Sequence, residues 1–167
     1  INTKKIKYEE NIVTNKIVIF HGLNRYGFKG TRHVEEAFRI LKNKYPNELE
    51  LIIDGHMPID KYLNIIKKTN ILIDQTNFYS VGLSGLYAMA MGKVTLGGAE
   101  PESLKSFGIK SSPCINIKPN AKSIIDAIEK LIDQKEKIQE IGFESRRFIE
   151  EFHDHIKIAK EYLDTWN

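Results

Sequence analysis

One cysteine, one tryptophan and five prolines occur among the 167 residues. A single thiol, Cys114, cannot close an intramolecular disulfide, so the expected setting is a reducing compartment rather than that of a disulfide-stapled secreted domain. Long apolar runs are missing as well. The stretches at 71–73 and 86–91 fall far short of the roughly 18 residues that a membrane-spanning helix needs. Eleven glycines and five prolines are too few for a collagenous or low-complexity chain. No run of Lys and Arg interleaved with aromatics marks a nucleic-acid binder. No secretory leader is visible, and the first residue is Ile1 rather than Met, which raises the expectation of a piece from a longer protein.

What is present is globular. Hydrophobic residues make up 41% and charged residues 28%, with a formal net charge of +3. A chain of this length forms one domain that buries roughly 70% of its unfolded surface. The charge is uneven: residues 1–117 carry 16 basic and 11 acidic side chains, and residues 118–167 carry nine and eleven. A mild positive bias in the first part suits an anionic small ligand.

Strands and helices alternate along the chain. β-Branched runs predict strands at 16–21 (KIVIFH), 49–54 (LELIID), 70–74 (NILID), 93–96 and 114–117. Helical patterns lie between them: 31–45 with Thr31 as N-cap, 60–68, and 83–91 ended by Gly92 at the left-handed position. Three more follow at 121–133, 135–152 and 155–166. Alternation at this spacing predicts a doubly wound parallel α/β sheet of Rossmann type with helices on both faces. The division expected is a linker or edge extension over 1–15, the α/β domain over 16–152 and a terminal helix over 153–167. Ligands of such sheets sit at the carboxyl ends of the strands, so the loops after His21, Asp54, Asp74 and Leu96 carry the interest.

The loop 22–30 (GLNRYGFKG) holds two cations, Arg25 and Lys29, with Gly22, Gly27 and Gly30 permitting close backbone approach. It closes where a helix opens, so unpaired N–H groups and the positive dipole end would add to the side-chain charge, and a diphosphate would be neutralised there. The plainer alternative is a surface loop with two solvated cations. The loop matches neither G-x-x-x-x-G-K-[ST] nor G-x-G-x-x-G. A second candidate is 75–92 (QTNFYSVGLSGLYAMAMG), where Gly82, Leu83 and Ser84 begin a helix with uncovered amides, another anion site. His21 reads equally as a satisfied core residue or a cleft residue. His33, His56, His153 and His155 show no metal-ligand spacing with Cys114 or each other. A phospho-acceptor receiver domain needs acids after the first strand, and His21-Gly22-Leu23 stands there instead.

Taken in order, these segments resemble one family. Residues 89–94 within LYAMAMGKVTLGG are similar to the EAMA-x-G-x-P-V-I signature of family-four glycosyltransferases. Lys29-Gly30 ahead of a helix is similar to their KG donor-phosphate motif. LIDQ at 72–75 and GTRHVEEAF at 30–38 are similar to a bacterial polysaccharide-assembly branch of the group. The resemblance implies one half of a GT-B enzyme, the C-terminal Rossmann-like domain that binds the nucleotide sugar. It further implies a retaining, metal-independent transfer without a cofactor, acting on a capsular or cell-surface polysaccharide. The acceptor, a saccharide or lipid-linked saccharide, would be held by an N-terminal domain, and this half alone would be inactive. The implied location is cytoplasmic, with at most peripheral membrane contact. Arg25 and Lys29 would hold the diphosphate in place of a metal, and the amides of Gly82, Leu83 and Ser84 would meet the same phosphates. Gly22, His56 and Met57 would lie by the nucleotide.

The family carries Glu-x7-Glu, the first Glu on the sugar and the second on the ribose. Tyr79 and Tyr87 stand at those positions here. Tyr87 retains a hydroxyl for a ribose, but a charged acceptor makes hydrogen bonds roughly twice as strong. Glu100 and Glu102, on the next loop, are the acids available to substitute. The competing expectation is a degenerate, non-catalytic module assembled with another glycosyltransferase.

Overall fold

The structure is a computed structural model and describes residues 1–23 and 26–166. Five parallel strands form one sheet: β1 (Ile17–Gly22), β2 (Leu49–Asp54), β3 (Ile71–Ile73), β4 (Val94–Gly97) and β5 (Ile115–Asn116), in the order β2-β1-β3-β4-β5. The helices are α1 (Tyr26–Lys29), α2 (Thr31–Lys44), α3 (Ile59–Lys68), α4 (Leu83–Ala90), α5 (Pro101–Ser106), α6 (Ala121–Asp133), α7 (Lys137–Phe152) and α8 (His155–Trp166). The expected doubly wound α/β architecture is the one observed.

Strand alternation explains the two layers. Ile17 and Ile19 of β1, Ile71 and Ile73 of β3, and Val94 and Leu96 of β4 face one side, where they meet Val34, Phe38 and Leu41 of α2 and Ile124 and Ile128 of α6. Phe20 and Leu72 face the other side, against Tyr62 and Ile66 of α3 and Ala88 of α4. Both sheet faces are covered, which is why the strands read as continuous apolar runs. Asn120 caps α6 by accepting from the Ser123 N–H at 2.8 Å. Among the described residues no helix is long and apolar enough to cross a membrane.

Several local expectations shift. The N-cap of α2 is Gly30, and Thr31 is the first helical residue, with its hydroxyl bonded to His21 instead of to the helix amides. The loop after β1 contains the short α1, and α5 follows β4 where no helix was expected. Residues 1–16 form no strand. They run as a strap over α4 and α7, where Arg146 donates to the carbonyls of Thr3, Ile6 and Ala90 at 2.9, 2.7 and 2.8 Å.

The strand order places its reversal between β1 and β3. Chain leaves β1 toward β2 on one side, and β3 to β5 build outward on the other. A crevice therefore opens at the carboxyl ends of β1 and β3, where ligands of open α/β sheets bind.

Candidate functional site

That crevice is built by the residues that follow β1 and β3. His21, the penultimate residue of β1, is fully buried. Its ring meets the Ile73 carbonyl at 2.9 Å through Nδ1 and the Thr31 hydroxyl at 3.0 Å through Nε2. A carbonyl only accepts, so Nδ1 carries the proton and Nε2 accepts from Thr31. Burial, with Lys29 adding to it, pushes the His21 pKa down to about 4. His21 is thus a neutral pin between β1, β3 and α2, and the core reading of this residue is the one observed.

Lys29 ends α1 and is 9% exposed. Its ammonium lies 3.2 Å from Ser84 Oγ and 3.6 Å from Asp74 Oδ1. The other carboxylate oxygen of Asp74 accepts the Gly82 N–H at 2.5 Å, at the start of α4. Burial raises the Asp74 pKa, and Lys29 with the Gly82 and Gly85 amides opposes that rise. Lys29, Asp74 and the first turn of α4 form one polar knot at the switch point. The Leu83 and Ser84 amides, in the first helical turn, have no acceptor within the helix. An ammonium has three protons to donate, so Lys29 can serve Ser84, Asp74 and an outside anion together.

Gly30 makes this knot possible. It sits at φ 76, in the left-handed region, and a Cβ there would come within 2.1 Å of Thr76 Oγ1. The Thr76 N–H donates to the Lys29 carbonyl at 3.0 Å, and the Asn77 amide donates to the carbonyls of Gly27 and Phe28 at 3.3 and 3.2 Å. The Phe28 and Phe78 rings pack at a tilt of 41° with centroids 4.5 Å apart. The loop after β1 is therefore clipped onto the loop after β3.

Two cavities flank the knot. One, of about 230 Å³, is lined by Met57, Ile59, Tyr62, Leu83, Ser84 and Tyr87. The buried Tyr62 hydroxyl faces Ser84 without a well-aligned hydrogen bond, and burial raises its pKa. The other cavity, of about 470 Å³, opens on the far side of the 76–79 loop and includes Tyr79 and Glu100.

The structure brings Lys29, Gly82, Leu83 and Ser84 together, and it adds Met57 and Tyr87 on one side. Tyr79 is separated from Tyr87 and lines the larger cavity instead. Gly22 ends β1, and the space its missing side chain leaves is filled by the Tyr62 ring, 3.0 Å from where a Cβ would stand. His56 is exposed beside Met57, in the left-handed region at φ 54. Arg25 lies outside the described residues. Asp74 was missed as a site residue. Its signal was an acid closing an otherwise apolar strand just ahead of a Gly- and Ser-rich helix start.

No protein-family profile and no curated protein sequence matches the chain. Solved structures do match. The C-terminal domain of a glycosyl transferase group 1 family protein (LpcC) from Francisella tularensis superposes with a TM-score of 0.61 at 17% identity, over 93% of this chain and 99% of that one. HepE from Anabaena, solved with UDP and glucose, matches at TM-score 0.67 and 12% identity over 91% of this chain and 48% of HepE. A TarM variant from S. aureus, solved with UDP and alpha-GlcNAc-glycerol among its ligands, matches at TM-score 0.72 and 16% identity over 98% of this chain and 38% of TarM. The chain thus has the fold of such a C-terminal domain and spans less than half the length of HepE and TarM.

Proposed function

We propose that this chain is the donor-binding domain of a GT-B glycosyltransferase that moves a sugar from a nucleotide diphosphate sugar to a capsular or cell-surface saccharide acceptor held by a second domain. The observation that carries the reading is the convergence of Lys29, Ser84 and the α4 amides at the β1/β3 switch point, beside a cavity lined by Met57, Leu83 and Tyr87. The folds of LpcC, HepE and TarM support it, and two of those structures hold UDP.

On this reading the diphosphate lies across the first turn of α4 and the nucleoside enters the smaller cavity, with the Tyr87 hydroxyl toward the ribose. Donors fixed before reaction stabilise charge that builds on the leaving diphosphate, without reorganisation at that moment. Lys29 and the Leu83 and Ser84 amides supply that stabilisation, so the transfer is metal-independent and, as in the resembling family, retains configuration. A second reading, a non-catalytic module, draws on the Tyr residues at positions 79 and 87, since neither gives a ligand a charged acceptor.

Titration calorimetry of the chain with UDP, GDP and ADP tests the proposal. One of them is expected to bind, and Lys29→Met is expected to weaken that binding at least tenfold with the far-ultraviolet spectrum unchanged. Failure of all three to bind at millimolar concentration overturns it. Activity of the two-domain protein that rises with Tyr87→Glu from an undetectable level would favour the non-catalytic module.

A further inference from the structure

The hydroxyl of Tyr62 is a buried polar group with nothing to bond. Tyr62 stands on α3 and is 7% exposed, and its hydroxyl oxygen has no aligned hydrogen-bond partner among the described residues. The ring is held where it is. Phe20 packs against it at a tilt of 57° with centroids 5.6 Å apart, and Ile66, Leu72 and Ala88 belong to the same apolar cluster. Gly22 admits the ring, since a Cβ at that end of β1 would stand 3.0 Å from both Cε2 and the hydroxyl oxygen of Tyr62. The hydroxyl therefore sits at the carboxyl end of β1 and faces Ser84, and both residues line the cavity of about 230 Å³. Native proteins keep few buried hydroxyls unbonded, because each one costs folding free energy that a phenylalanine in the same space would not. An outside acceptor removes that cost.

We propose that the Tyr62 hydroxyl donates to the α-phosphate of a bound nucleoside diphosphate, and that Lys29 serves the β-phosphate. The inference rests on the donor-domain reading above and divides the two phosphates between two donors of different kind. Its geometry comes from strand order. Met57 and α3 follow β2, Lys29 follows β1, and Asp74 and Gly82 follow β3, with β1 lying between β2 and β3. The cavity wall includes Tyr62 and Ser84 but not Lys29, whose ammonium meets Ser84 from the side of Asp74. From the nucleoside cavity toward the knot, the donors thus come in the order Tyr62, Ser84, Lys29. The phosphate joined to the ribose is the α-phosphate, and it falls to the first two. A phenol suits that place. Burial, with Asp74 adding to it and Ser84 opposing, raises the Tyr62 pKa, so the group keeps its proton and meets the anion as a donor. A hydrogen bond to a charged acceptor is roughly twice as strong as a neutral one, and a ring already held in place needs no reorganisation to make it.

Wild type, Tyr62→Phe and Lys29→Met are titrated with UDP, GDP and ADP, and then with the monophosphate of whichever binds. Tyr62→Phe is expected to weaken diphosphate and monophosphate alike, at least fivefold each. Lys29→Met is expected to weaken the diphosphate at least tenfold and the monophosphate less than threefold. In phosphorus spectra of the bound diphosphate, Tyr62→Phe should displace the α resonance and Lys29→Met the β resonance. Without ligand, Tyr62→Phe should melt no lower than wild type, since it deletes a hydroxyl that bonds nothing. A lower melting temperature would mean that the hydroxyl is bonded within the fold, and it overturns the assignment. An unmoved α resonance in Tyr62→Phe, or equal loss of monophosphate and diphosphate in Lys29→Met, overturns it too. If no nucleotide binds the wild type, the donor-domain reading falls and takes this inference with it. Nucleotide binding that is indifferent to Tyr62→Phe removes this inference alone.

Discussion

Asn11 and Asn70 bond each other reciprocally, the Asn11 amide to the Asn70 carbonyl and the Asn70 amide to Asn11 Oδ1, both at 2.9 Å. Asn70 Oδ1 also accepts the Val18 N–H at 2.9 Å. Two buried amides thus tie the strap to the entries of β1 and β3. An unpaired buried polar group costs about 1–3 kcal/mol. Asn70→Ala leaves at least the Val18 N–H and the Asn11 oxygen unpaired, so it is expected to lower unfolding stability by about 2–4 kcal/mol. Urea denaturation measures this, and a change below about 0.5 kcal/mol would contradict it.

Gly30→Ala places a Cβ where the left-handed backbone and Thr76 both reject it. The conformational part alone costs about 1–2 kcal/mol. The variant is expected to lose at least that much stability and to weaken UDP or GDP binding, because relief of the clash must shift Lys29 or the 76–79 loop. Stability and affinity both equal to wild type would refute the clip described here.

Removing one member of a buried ion pair costs more than replacing both. Asp74→Ala leaves the Lys29 ammonium without its counter-charge and the Gly82 N–H without its acceptor, with an expected loss of about 3–5 kcal/mol. The double variant Asp74→Leu with Lys29→Met should regain part of that stability and still fail to bind nucleotide. Thermal melts of the three proteins, beside calorimetry, decide it. A double variant less stable than Asp74→Ala would argue against the pair.

His21 titrates in the native protein at about 4, below the ordinary 6.5, because its charged form is desolvated. The unfolded chain therefore takes up a proton before the native one does as pH falls. Stability is full above the unfolded value and drains between pH 6.5 and 4, by about 3 kcal/mol at one pKa unit per 1.36 kcal/mol. His21→Gln should flatten the slope of unfolding free energy against pH across that window. An unchanged slope would show that other groups dominate it.

The sheet was legible in the sequence because β1, β3 and β4 are covered on both faces and read as uninterrupted apolar runs. Helices α2 and α6 were legible from single apolar stripes. Residues 1–16 were not, since a strap held by side-chain amides and one guanidinium has no periodicity to read. Lys29 and Ser84 could be named singly from glycine placement and helix starts. Their meeting could not, because it depends on Asp74, an acid whose role appears only once β3 lies beside β1. The Glu100–Lys118 pair was equally hidden. It joins the ends of β4 and β5 across 18 positions of sequence, and adjacency of those strands is a property of topology alone.

Helix α4 has eight residues, about 12 Å of length, with the Leu83 and Ser84 amides at one end. Its other end is fastened. Arg146 grips the Ala90 carbonyl, the Glu9 N–H donates to Met91, and α7 lies so near at Gly142 that a Cβ there would stand 2.1 Å from the Gly92 oxygen. The helix behaves as a short beam clamped at its root, and the stiffness of the clamp sets how little the amides at its tip wander. On the donor-domain proposal, residues at the far end of α4 from the nucleotide would thereby set the entropy of binding. Loosening Arg146 would blunt affinity through the off-rate, with every atom that touches the ligand unchanged.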